Sequence, residues 1–200
     1  KGLLRPDGTL NRFTGASGIA IYRGAHFPPN FVGDAFVSEP TANLIRRDDV
    51  SEKNGKVSAV NPYDKQKGEF ITSTDEIFRP VNSYIGPDGA LYLVDMYHGI
   101  IQHRHFLTSY LRKQSESRGL EKVFNYGRIY RVVHKNRPLD KGPDLAKAST
   151  KVLVQTLSHA SGWYRDTAQR RLVDLAPASA IAPLKKLALE GKSHLGRLHA

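Results

Sequence analysis

The chain contains no cysteine. That excludes a disulfide scaffold, thiolate zinc sites, a cysteine nucleophile and covalent attachment of a c-type haem within these residues. No apolar run approaches the roughly 18 residues of a membrane-spanning helix, and no secretory signal opens the sequence. GxSxG, P-loop, dinucleotide-binding and HExxH patterns are all missing, so several enzyme classes lose support. The chain opens at Lys1 in what reads as mid-structure and stops at Ala200 inside a helical pattern. It therefore reads as a piece of a longer protein.

What is present is basic. The 200 residues carry 30 Lys/Arg against 19 Asp/Glu, a formal net charge of +11. Much of the excess is local: Ile101 to Lys141 holds ten basic and three acidic residues, a balance of +7. Such a stretch suits a phosphate backbone, an acidic lipid or an acidic protein, or a solvated face. No nucleic-acid motif accompanies it, so nucleic acid is not expected as a partner.

The densest unit is Phe78 to Arg104, FRPVNSYIGPDGALYLVDMYHGIIQHR. Gly86-Pro87-Asp88-Gly89 is a tight-turn signal, with Asp88 expected to cap the backbone. Val81 to Ile85 and Ala90 to Val94 read as strands around it. Asp95, Tyr97, His98, His103 and Arg104 come next. A weaker copy precedes it: Ala35 to Arg47 against Leu91 to His103, with Glu39 matching Asp95 and Leu44-Ile45 matching Ile100-Ile101, each 56 residues apart. A β-repeat near roughly 40–50 residues points to propeller blades, and a longer loop stretches the period. Two unrelated hairpins of a sandwich are the alternative.

Further strands are expected at Gly18 to Arg23, Ala35 to Ser38, Asn43 to Arg47, Phe70 to Thr72 and Gly127 to Val133, with Asn54-Gly55 as a hairpin turn. Arg5-Pro-Asp-Gly8 reads as one more turn. Leu107, Tyr110 and Leu111 have helical spacing, which places a helical excursion near 106–122. The Pro- and Gly-containing NRPLDKGP of 136–143 marks a boundary. The division is 1–138 as a partial propeller of two to three blades, 139–148 as linker and 149–200 as helical repeats. Helices are expected at Thr150 to Leu157, Trp163 to Leu175 and Ala180 to Glu190, with a further one after Ser193; Ser149 or Thr150, Ser179 and Ser193 are the expected caps. Arg165 and Ala168 recur 32 residues later as Arg197 and Ala200, a period that suits a HEAT-like α-solenoid; a plain bundle is the alternative.

Arg79 stands just before the expected inner strand and Asp95 ends the adjacent one. A guanidinium and a carboxylate at one rim suit holding an anion or orienting a base, or form a buried structural ion pair. The candidate ligand-holding set is Arg79, Asp95, Tyr97, His98 and Arg104, with Asp95 and His98 as the catalytic candidates. His103 and His105 would share one face of a strand, but no third ligand stands at motif spacing, so no metal site is assigned.

FRPVNSYIGPDGALYLVDMYHGIIQHRHFLTSYL followed by GRIYRVV resembles the large bacterial membrane-bound dehydrogenase family, relatives of the glucose/sorbosone dehydrogenases, which are six-bladed quinoprotein propellers. SGIAIYRGAHFPPNFVGDAFVSEPTANLIRR is similar to that family's preceding blade, and SHASGWYRDTAQRRL to its HEAT-like segment. The resemblance implies the end of a six-bladed β-propeller joined to the start of a HEAT-like solenoid. It also implies a sugar or alcohol dehydrogenase that uses pyrroloquinoline quinone with calcium, passes electrons to a cytochrome c domain or protein with its own haem, and works in the periplasm or cell envelope. The family's catalytic histidine precedes an inner strand; Phe78 occupies that position here, so the base is expected outside this chain. The alternative is a non-catalytic propeller–HEAT scaffold that binds glycans or proteins.

Overall fold

Alternation of apolar and polar residues between turn signals makes the first half of the chain β. In the computed structural model, which describes residue 6 and residues 12–200, the strands are β1 (Ile19–Ile21), β2 (Ala35–Glu39), β3 (Leu44–Lys53), β4 (Lys56–Val60), β5 (Ile71–Thr72), β6 (Pro80–Ile85), β7 (Leu91–Asp95) and β8 (Arg128–Val132). Helix α1 (Ser109–Ser117) interrupts the β region, and α2 (Thr150–Thr156), α3 (Gly162–Leu175), α4 (Ile181–Glu190) and α5 (His194–His199) end the chain. Antiparallel sheets succeeded by helices is the expected class at that level. The turn expected at Arg5–Gly8 lies outside the described residues apart from Pro6.

The chain divides into two units, one of residues 12–22, 33–84 and 91–132, the other of 23–32, 85–90 and 133–200. The first holds both sheets. In one, β1, β2 and β3 pair in sequence order, and β3 is long enough to pair with β5 at Leu44–Ile45 and with β4 from Asp49 to Lys53. The β3–β4 hairpin turns at Asn54 and Gly55, φ 54° and 74°, the double left-handed geometry that an Asn-Gly pair favours. The second sheet runs β6-β7-β8. The first strands of the two sheets meet where the Gly18 N–H donates to the Val81 carbonyl at 2.9 Å. Tyr22, Phe36, Ile45, Phe78, Leu91 and Leu93 are buried, and Phe36 packs edge-on against Phe70 at 5.0 Å. Among them the Arg47 guanidinium donates to Asp34 at 2.6 Å, both residues nearly fully buried.

The second unit is organised around a helical core of Leu145, Leu153, Val154, Leu157, Tyr164, Ala168, Leu172 and Ala180. On α3 the buried positions 164, 165, 168 and 172 recur at helical spacing. Ser149 caps α2 and Ser193 caps α5, each accepting an N–H three residues on. Ser179 does not cap α4: a 3-10 turn, Ala178–Ala180, runs straight into the helix. Pro183 in the first turn has no N–H to satisfy, which lessens the need for a cap. In the same unit, Asp88 caps its turn as expected, accepting Ala90 N–H at 3.1 Å. Buried His26 links two points of the 133–140 segment: its Nδ1–H donates to the Pro138 carbonyl and its Nε2 accepts the His134 N–H, both at 2.8 Å. These partners fix the neutral imidazole with its proton on Nδ1.

Candidate functional site: a strand-end cluster

β7 ends in a carboxylate and β6 begins just after a guanidinium, so an antiparallel pairing brings the two together. Asp95 Oδ1 accepts two backbone N–H groups, from Arg79 and Tyr97, both at 2.7 Å. Asp95 is 1% exposed, and its Oδ2 is buried with no hydrogen-bond partner among the described residues. The acid therefore serves first as an acceptor for main chain that has left the sheet ladder.

Arg79 does the complementary work with its side chain. Nη1 donates to the Pro40 carbonyl at 2.7 Å, Nη2 to Gly99 at 2.8 Å and Nε to His98 at 3.2 Å. The guanidinium thus ties the β2–β3 turn to the segment after β7. Burial lowers its pKa, and the charges of Glu76 and Asp95 oppose that shift. Asn43 closes the arrangement from the β2–β3 turn: its φ is 55°, and its Nδ2 donates to the Phe78 carbonyl at 2.6 Å.

Tyr97 sits at φ 46°, a conformation uncommon for a bulky residue. The Asp95–Tyr97 hydrogen bond holds that backbone turn, and two side-chain contacts hold the ring. The phenol donates to Asp75 Oδ2 at 2.9 Å, and the Arg128 guanidinium lies 3.4 Å from the ring centroid. The hydrogen bond to Asp75, then burial, pushes the Tyr97 hydroxyl pKa up. His98 turns its Nδ1 to the Ile100 carbonyl at 2.5 Å and packs edge-on to Phe124 at 5.3 Å. Nδ1 is thus a protonated nitrogen.

Arg79, Asp95, Tyr97 and His98 are therefore brought together. The Arg104 side chain lies outside the described residues; its backbone opens a 3-10 turn through Phe106. His103 and His105 lie at that turn rather than on a strand, with rings stacked at 5.0 Å. Among the described residues no group of three or more His, Cys, Asp or Glu is placed to hold a metal ion. Asn43, Asp75 and Phe124 belong to the cluster, and the sequence alone did not single them out. Asn43, in a Thr-Ala-Asn turn before an apolar pair, carried a usable signal; Asp75 and Phe124 are recognisable only from the tertiary fold.

A family model described as a domain of unknown function, DUF7133, matches residues 2–136. No curated protein and no solved structure matches the chain. Among the described residues no helix is long and apolar enough to cross a membrane.

Proposed function

The chain belongs to the DUF7133 family, and from that premise we propose that it is part of a non-catalytic scaffold, with its strands as blades of a β-propeller and its last helices as the start of a HEAT-like array. One observation carries the reading: the Arg79 guanidinium spends three donors on backbone carbonyls while Asp95 Oδ1 receives two backbone N–H groups. Groups committed to main chain in this way clasp loops together. The blade assignment is supported by two antiparallel sheets in consecutive order whose first strands meet at Gly18 and Val81. The helical-array assignment is supported by two arginines 32 residues apart that each grip the end of the preceding segment: Arg165 holds the carbonyls of His159 and Ala160, and Arg197 that of Ala188.

The quinone and calcium implied by the family resemblance do not fit the described residues. Arg79, the cation expected to face an anionic cofactor, is turned to carbonyls, and no carboxylate group large enough for a calcium cage is present among the described residues. A second reading, part of a sugar or alcohol dehydrogenase that passes electrons to a cytochrome c, is favoured by one atom: buried Asp95 Oδ2, which has acceptor capacity to spare.

The two readings separate in the full-length protein given pyrroloquinoline quinone and calcium and assayed for sugar-dependent dye reduction. The scaffold reading expects no saturable quinone binding and a lowered unfolding midpoint for Asp95→Asn. Saturable binding with turnover, both abolished by Asp95→Asn at an unchanged midpoint, overturns it in favour of the dehydrogenase.

A further inference from the structure

In the helical unit, one face of α3 lines an open groove of about 510 Å³, within the size range of small-ligand sites. Trp163, Thr167, Arg170, Arg171 and Asp174 of α3 line it, together with Asp144 from the loop that precedes α2. Their spacing of four, three, one and three residues keeps them on one side of the helix. The floor is aromatic: Trp163 is half-buried and braced edge-on by Tyr164 at 5.0 Å. Arg171 is held in place by its Nη2 donating to the Ala146 carbonyl at 3.2 Å, while its Nε is buried without a partner among the described residues. Asp144 is oriented by accepting the Ala146 N–H at 3.0 Å.

We propose that this groove is a binding site for a neutral saccharide. The charges at the groove decide the class. Two guanidinium and two carboxylate groups line it and cancel formally, so neither a phosphate nor a polyamine meets a field of one sign. A pyranose presents an apolar C–H face and a rim of hydroxyls that both donate and accept. The indole suits the first. The carboxylates, which only accept, and the guanidiniums, which only donate, suit the second. The groove shares no residue with the strand-end cluster, so failure of saccharide binding leaves the scaffold reading standing, and overturning the scaffold reading leaves this site untouched.

Trp163 is the sole tryptophan of the chain, so intrinsic indole fluorescence reports on the groove directly. The full chain is titrated with maltose, glucose, inorganic phosphate and spermidine. Expected is a saturable change with maltose, half-complete at or below about 10 mM. Asp174→Asn and Arg170→Ala, both at exposed positions, each weaken it by about tenfold, the loss of one charge-assisted hydrogen bond, with the circular dichroism unchanged. No saturable response to either sugar from a chain that is folded by circular dichroism overturns the proposal. So does tighter binding of phosphate or spermidine than of maltose, and so does maltose binding that neither variant weakens.

Discussion

Two strand ends in this molecule solve the same problem with different acids. Glu39 closes β2 and Asp95 closes β7, 56 residues apart, and both are almost fully buried. Glu39 turns both carboxylate oxygens to a single N–H, that of Gly15, at 3.1 Å each. Asp95 concentrates two N–H groups on one oxygen and leaves the other unpartnered among the described residues. The exit paths beyond the two acids differ more. After Glu39 a short turn leads directly into β3, whereas after Asp95 the chain runs through 96–127, including α1, before β8 returns to the sheet. The shorter aspartate suits this longer excursion, because it can hold the N–H two residues on and set the backbone of Tyr97. A buried acid at a repeated strand end is thus first a device for organising exit loops, and only its spare capacity leaves room for chemistry.

The largest effect in that comparison is expected from Asp95→Ala, which orphans two backbone donors next to a cationic side chain. Urea unfolding should show a loss of about 4 kcal/mol; a change near zero would break the assignment of Asp95 as a loop anchor. Arg79→Ala should cost about 3 kcal/mol, because it frees three carbonyls at once. Lysine should not restore stability there, since an ammonium cannot span three divergent acceptors. Full rescue by Arg79→Lys in thermal melts would reduce Arg79 to a generic positive charge. Glu39→Ala should cost less, about 2 kcal/mol, because one donor rather than two is orphaned. Equal losses at positions 39 and 95 by denaturant titration would erase the distinction between the two strand ends.

The smallest effect concerns Glu69 in the first sheet's surroundings. Burial raises its pKa, and the cation of Arg46, 3.6 Å away, opposes the shift. A carboxyl whose folded-state pKa lies above its unfolded one favours the protonated form. Its destabilising contribution is therefore full at neutral pH and vanishes once the pH falls below the unfolded value. Glu69→Gln should raise the melting temperature at pH 7, and the gain should shrink as the pH falls through the carboxylate range. A gain that stays constant with pH would contradict burial as the cause.

The strands were readable because their signals are local. Asn54-Gly55 announced its hairpin, Gly86-Pro87-Asp88-Gly89 its turn, and the apolar run after it became β7. β4 went unread because Lys56–Val60 is exposed along its whole length, so no burial pattern marks it. Ser179 misled because a serine before an apolar run satisfies the cap pattern, whereas the approach of a 3-10 turn is set by Pro177 and Pro183 together. At the candidate site the sequence offered Arg79, Asp95, Tyr97 and His98 as neighbours, and they are neighbours. Their orientation was illegible. Whether Arg79 faces solvent or the Pro40 and Gly99 carbonyls depends on a turn some forty residues upstream and a segment some twenty downstream, and no local pattern encodes such a meeting.

Amide hydrogen exchange tests the clasp most directly. In the full chain the Arg79 and Tyr97 amides, although outside regular strand pairing, should exchange slowly, and Asp95→Ala should accelerate both by about tenfold or more relative to Leu93 in the core of β7. Free exchange of those two amides in the unaltered protein, or protection that survives Asp95→Ala, would contradict the account.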